Sequence, residues 1–344
     1  MKRIFVAGTG AVSPAGWTAA ALSAALRKNE PLPAQTLPRP GWETPARPLR
    51  ARTVPNPPVR PEFLAHPRLR RSSPVTHYAA AAALEALAPL RAKTPPAAPR
   101  LGIVACLQSG CVQYSCRFYD ETLKDPATAS PLVFPETVYA APASHVAALL
   151  DNVVIAYSLV GDATAFLQGV ALAAGWLGEN RVDACLVLGA EETNWIVADA
   201  FRLLDRTAII AAGAGALCLC TDPALSAGVE LAAITDVFPV AAGQRAAPAV
   251  QAMRRQLRAD AASELLVDSR RNSPRADAAE NLAWSDWTGA RLSPKLILGE
   301  GMMAAAAWQC VTACDAVAAG EFAAANVSVA GASQPAIGGR FVRG

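Results

Sequence analysis

The sequence predicts an α/β protein of two similar lobes, each a mostly parallel sheet covered by helices. Three observations lead there. Apolar runs of strand length alternate with longer helical patterns along the chain. Several strand-length runs, "RVDACLVLGAEE" and "AGAGALCLCTD" among them, are apolar at nearly every position, as a sheet covered on both sides requires. The 344 residues, 53% hydrophobic and only 17% charged, suffice for two compact lobes with a well-buried core.

The elements follow in order. "RIFVAGTGAVSP" reads as a strand entering a glycine-containing turn. Its "GTG" lacks the third glycine of a dinucleotide fingerprint, and Pro14 stands where the following helix should begin. "TAAALSAALRKN" is a helix. Residues 32–74 are rich in proline and arginine, which disfavours regular elements and predicts an irregular surface excursion. That excursion carries Arg47, Arg50, Arg52, Arg60, Arg68, Arg70 and Arg71 against Glu62 alone, a solvated loop or a docking surface for an acidic or phosphate-bearing partner. "VTHYAAAAALEALAPL" is a helix, "RAKTPPAAPR" a linker and "LGIVACL" a strand. A short helix in "ETVYAAPASHVAALL", a strand in "NVVIAYSLV" and a small-residue helix in "TAFLQGVALAAGWLGEN" follow. The second part repeats the theme through "AVQAMRRQLRAD", "SELLVDSR", "GMMAAAAWQCVTACDAVAAGEF" and "NVSVAGASQPAIGGRFVR". The predicted division is residues 1–222 and 223–344, packed as one unit.

Composition excludes several classes. A formal net charge of +3 implies neither nucleic acid nor an anionic membrane as partner. The longest apolar run, "AIIAAGAGALCLC", is too short to span a membrane, and "MKRIFVAG" lacks an export-signal pattern, so a cytoplasmic protein is expected. The eight cysteines sit in apolar strands and helices like small hydrophobes, without C-x-x-C spacing and with only three histidines in the chain; no metal is expected.

The stretch "LVGDATAFLQG" leads small residues into an apolar helix, a place where enzymes set a nucleophile against helix-start amides. Only Asp162, Ala163 and Thr164 stand there, and none is activated without a neighbouring base. Asp162 reads first as a cap for the terminal amides.

With these segments in place, the chain resembles the thiolase-like superfamily, specifically the β-ketoacyl-acyl carrier protein synthases. "VAGTGAVSPAG" is similar to that family's opening strand and turn, and "GENRVDACLVLGAEE" to its glycine-aspartate turn and following strand. "AGAGALCLCTDP" and "SPKLILGEGMMAAAAWQCVTACDAVAAGEF" match its second-half strand and its lysine-containing, alanine-rich helix pattern. The resemblance implies a thiolase-like fold, residues 1–222 being the ketosynthase-like lobe and 223–344 a shortened second lobe. It places the family's catalytic cysteine on Ala163, its first histidine on Ser269 and its second on Glu300, with Lys295 retained. Ala163, Phe166 and Ala330 fall on the acyl channel, Ala330 at the gating phenylalanine. Arg68, Arg70 and Arg71 become the carrier-protein docking candidates.

Decarboxylative condensation needs a thiolate and neutral donors for the developing enolate. Alanine supplies neither, and a carboxylate at Glu300 would repel that charge; Glu300 and Lys295 could instead form a buried ion pair. The resemblance therefore implies a non-catalytic, chain-length-factor-type subunit that pairs with an active ketosynthase and shapes the channel for an acyl or polyketide chain. It would bind no cofactor of its own, the phosphopantetheine being carried by a partner acyl carrier protein. Two alternatives stay open: an acyltransferase or hydrolase with altered chemistry at Asp162, Ser269 or Glu300, and a homodimeric acyl-binding scaffold.

Overall fold

The computed structural model describes residues 2–40, 48–93, 99–241, 244–260, 263–331 and 335–344. Arg47 of the excursion, residues 94–98 of the expected linker and residues 332–334 of "VAGASQ" lie outside the described residues.

The chain opens with β1 (Phe5–Val12), α1 (Ala19–Lys28) and two short strands, β2 (Gln35–Leu37) and β3 (Leu49–Arg52). Then come α2 (Pro74–Lys93), β4 (Leu101–Leu107), α3 (Val112–Lys124), α4 (Ala141–Leu149) and β5 (Val153–Val160). α5 (Ala165–Gly178), β6 (Ala184–Glu191), α6 (Trp195–Leu204), β7 (Ile210–Ala211) and β8 (Gly213–Cys220) follow. The remainder comprises β9 (Val229–Ile234), α7 (Ala247–Leu257), β10 (Leu265–Val267), α8 (Pro274–Ala283) and β11 (Arg291–Leu292). It ends with α9 (Pro294–Leu298), α10 (Met303–Ala318), β12 (Ala324–Ala330) and β13 (Ala336–Arg343).

Ten strands form one sheet in the order β11-β10-β12-β13-β9-β1-β8-β6-β4-β5. It is two five-stranded halves joined where Phe5 and Val6 pair with Glu230 and Val229. Each half repeats one topology: its third, second and fourth strands run parallel, and its fifth and first continue antiparallel. The expected parallel character thus resides in β5-β4-β6 and in β11-β10-β12.

Because successive strand residues face opposite sides, each half contributes to two cores. Val104, Cys106 and Val187 of one half, with Val267, Val327 and Phe341 of the other, share a central core with α5 and α10. Ile103, Leu107 and Leu186 face outward against α2 and α4, and Leu266 and Ala336 face α7 and α8. The layers therefore alternate helix, sheet, helix, sheet, helix. α10 is buried on nearly every side, which is why its sequence is apolar all round. Alanine and glycine let the layers approach: a Cβ at Gly189 would stand 2.5 Å from the Met303 carbonyl oxygen. The glycines of "GTG" pack likewise against the α2 backbone, so that motif serves helix–strand contact.

The structure adds elements that periodicity did not reveal. β3 sits in the proline- and arginine-rich excursion because it pairs with the distant β7, Ala51 opposite Ile210. α3 buries none of its residues, and α6 buries only Ala198 and Phe201, so neither shows a core stripe. All eight cysteines are free, and seven are buried.

Candidate functional site

The repeat sets Ala163 and Glu300 at equivalent points, each just before the central-layer helix that follows the third strand of its half. Ala163 is buried in the turn before α5, and Phe166 in the first turn of that helix has no exposed surface. The Asp162 carboxylate accepts from the Thr164 amide at 3.1 Å and from its hydroxyl at 2.6 Å. It acts as a local cap on one oxygen, while the other oxygen is buried without a partner.

Two chain segments meet this turn, and a third packs against one of them. Gly331 lies so close that a Cβ there would run into the Asp162 carboxylate. Next to it, the half-buried Ala330 donates its amide to Ser269 Oγ at 3.1 Å. From the other side Met303 reaches Gly161, and the Glu300 carboxylate accepts the Met302 amide at 2.8 Å. The structure thus gathers the segments bearing Ala163, Ser269, Ala330 and Glu300.

Ser269 is buried, and its hydroxyl lies 3.0 Å from the Ser328 carbonyl and 3.3 Å from Gln309 Oε1, both acceptors. Its amide donates to Glu280. Its loop is held by acids on its own segment: Asp277 takes the amides of Arg271 and Ser273, and Asp268 takes Arg270, Ser293 and Arg291. Asn272 adopts the left-handed conformation at φ 64° that this tight turn requires.

Glu300 anchors a buried quartet of charges. Lys295 Nζ and Arg271 each lie 2.9 Å from Glu300 Oε2, and Arg271 also reaches Asp205 at 2.8 Å. Burial alone would raise the Glu300 carboxyl; Lys295 and Arg271 outweigh it and hold it below the ordinary glutamate range. Asp205 is likewise opposed by burial but drawn down to about 2 by Thr207 and Arg271. Two cations face two carboxylates, so the quartet is neutral and its members satisfy one another. The Lys295–Glu300 pair was expected; Arg271 and Asp205 were not. Two arginines after "VDS" were the available signal, and nothing local connects them to Asp205.

The docking candidates Arg68, Arg70 and Arg71 are all exposed, on and just after a 3-10 turn at Pro67–Leu69. Arg70 borders a hollow with Arg60 and Leu64, and Arg71 borders one with Tyr114 and Arg117. Among the described residues, no three or more His, Cys, Asp or Glu side chains are grouped to hold a metal ion. None of the described helices is long and apolar enough to cross a membrane.

Burial, with Asp268 second, pushes the Glu280 carboxyl up to about 8. A raised folded pKa favours the proton-bound form, so this group costs stability progressively as pH climbs from about 4.3, the unfolded value, toward 8. Glu280→Gln, which mimics the neutral acid, should be more stable than the parent by roughly 1–3 kcal/mol at pH 8.5 and nearly equal to it at pH 4.5. Urea denaturation at both pH values checks it; a pH-independent difference would contradict the assignment.

Two repeated halves, fused through their first strands around a central helical layer, define a thiolase-like architecture. No protein-family model and no curated protein matches the chain. Solved structures do. A β-ketoacyl synthase from Burkholderia phymatum STM815 aligns over 100% of both chains at 17% identity with a TM-score of 0.83. The ishigamide ketosynthase/chain length factor aligns over 99% of this chain and 100% of its own, at 19% identity and a TM-score of 0.81. The ketosynthase ApeO in complex with its chain length factor ApeC, from Xenorhabdus doucetiae, aligns over 100% of this chain and 98% of that one, at 13% identity and a TM-score of 0.78. At these identities the agreement is one of fold.

Proposed function

We propose that this chain is the non-condensing member of a ketosynthase-like pair, a cytoplasmic subunit that shapes the acyl channel of an active β-ketoacyl-acyl carrier protein synthase. Its setting would be fatty acid, polyketide or aryl-polyene synthesis. In this reading residues 1–222 and 223–344 are the two lobes of one packing unit, and Ala163, Phe166 and Ala330 border the channel. Arg68, Arg70 and Arg71 are the surface offered to an acyl carrier protein, whose phosphopantetheine brings the chain.

The observation that carries the proposal is the pairing of Ala163 with the Glu300 quartet. The helix entrance holds a methyl group where a nucleophile would act, and the carboxylate at Glu300 is tied to Lys295 and Arg271. An anion there disfavours a developing enolate, and the cations beside it, Lys295 and Arg271, are engaged by that carboxylate. The same contacts weigh against altered acyl-transfer chemistry. Ser269 Oγ lies against two acceptors, and Asp162 caps its own turn, so neither is set as a nucleophile with a base. Two of the similar structures are named for ketosynthases with chain length factors, which supports a paired role.

The test is intact-protein mass spectrometry of the purified chain after incubation with acyl- and malonyl-carrier proteins. No covalent acyl adduct and no condensation product are expected. Ala163→Cys should stay at least about 10³-fold below an intact ketosynthase, since losing even one oxyanion donor costs about 10²–10³. Stoichiometric acylation of the parent chain during turnover would overturn the proposal in favour of an altered enzyme.

A further inference from the structure

A trough on the second half, separate from the Ala163–Ser269–Glu300 site, has no role in the proposed function. β9 pairs with β1 only at Val229 and Glu230, with one further bond from the Leu231 amide to Ile4. Beyond that point Ala233 and Ile234 pair on one side only, with β13, and a register shift opposite Arg340 and Phe341 falls at Ala232. The chain then passes through Asp236 and Phe238 to α7. Between β9 and α7 lies a solvent-open groove of about 860 Å³, floored by Ala232, Ala233, Ile234, Phe238 and Ala252. Phe238 and Ala252 also border an adjoining hollow of about 470 Å³ that ends at Arg245.

The rim is cationic. Arg255 and Arg258 border the groove and Arg245 the hollow; all three are exposed and none has an ion pair among the described residues. Arg254, on the same helix, is instead committed to Asp286, and Arg340 to Glu264. Among the described residues lining the groove and hollow, the one carboxylate is Asp236, which exchanges hydrogen bonds with the neutral Gln256 at 2.9 and 3.2 Å. Three arginines without an ion pair among the described residues, against one carboxylate, therefore leave the rim net positive over an apolar floor.

We propose that this trough docks an acidic, amphipathic helix of a partner protein. Charge complementarity sets the sign: the unpaired guanidiniums call for carboxylates at both ends of an apolar stripe. Alanines in the floor let a helix backbone come within the 8–10 Å separation of packed helices. The eleven-residue α7 beside it offers a wall of about 16 Å, three turns of a partner helix. A small-molecule site would enclose most of its ligand, whereas this groove is open along its length. A second copy of this chain fits poorly, because Asp120 and Glu121 on α3 are interleaved with Arg117 and Lys124.

The probe is a blocked 14-residue peptide with leucine and alanine on one helical face and glutamate on the other. A scrambled peptide of equal composition is the control, both read by fluorescence anisotropy against the full chain. The amphipathic peptide should bind at least tenfold tighter than the control. Arg255→Glu with Arg258→Glu should weaken it at least tenfold, and Arg245→Gln several-fold, with circular dichroism unchanged. Equal binding of both peptides would overturn the proposal by reducing it to bulk charge. Absence of binding, or complete displacement by inorganic phosphate at matched ionic strength, would overturn it too, the latter marking a simple anion site.

Discussion

Glu300→Gln should lower the unfolding free energy by about 3–5 kcal/mol at pH 7, the cost of breaking a buried ion pair by removing one partner. The carboxylate is 2% exposed and Lys295 1%, so the ammonium cannot turn to water. Glutamine leaves Arg271 on Asp205 and removes the carboxylate that Lys295 contacts, so the buried ammonium loses its ion-pair partner. Replacing the pair together, Lys295→Met with Glu300→Leu, leaves Arg271 balanced by Asp205; this variant should lie within about 2 kcal/mol of the parent, because apolar substitutes for buried pairs are often neutral or better. The pH dependence has a definite sign. Glu300 is held below the ordinary glutamate range, so its contribution is present above about pH 4.3 and fades as pH falls through the depressed folded value. The single-variant deficit should therefore shrink in acid. Denaturant midpoints at pH 7 and pH 3.5 would check both statements, and a deficit under 1 kcal/mol at pH 7 would remove the quartet from any central structural role.

What the sequence revealed and what it concealed follow from the range of the interactions. Strands buried on both faces announce themselves by unbroken apolar composition, so β6 and β8 were legible from "ACLVLGAE" and "GAGALCLC". Lys295 and Glu300 are five residues apart on one turn, close enough for their pairing to be anticipated. Arg271 reaches Asp205 across 66 residues, and no local pattern encodes that meeting. α6 escaped notice for a related reason: Ile196, Leu203 and Leu204 point outward and are exposed, so its apolar residues do not trace a face against this chain's own core. The acids of the Ser269 loop were visible as letters, but their work, collecting the amides of Ser269, Arg271 and Ser273, appears only once the turn is folded.

Ala156→Arg should weaken the proposed pairing with a ketosynthase by about 30- to 1,000-fold, the equivalent of 2–4 kcal/mol. Among the described residues β5 is the edge strand of the ten-stranded sheet, bonded to β4 alone. Its far side carries unpaired backbone groups, which soluble proteins seldom leave bare on an apolar strand. Val154, Tyr157 and Val160 are about half exposed along it, and Ala156 is exposed between them. Tyr119 and Leu123 of α3, together with Leu132 and Phe134, add further exposed apolar surface on the segments that follow β4. Such surface is of the kind that a partner covers, with an apolar centre and polar rim. Arginine at 156 would bring an unpaired charge to that centre, while Ala156→Ser, nearly isosteric, should leave pairing within about threefold. Light scattering after size-exclusion chromatography of the coexpressed pair gives the readout. If Ala156→Arg still forms a stable one-to-one assembly, β5 is not the pairing edge. If the parent chain forms only homodimers and exchanges with no ketosynthase, the paired role itself fails and an independent acyl-binding scaffold takes its place.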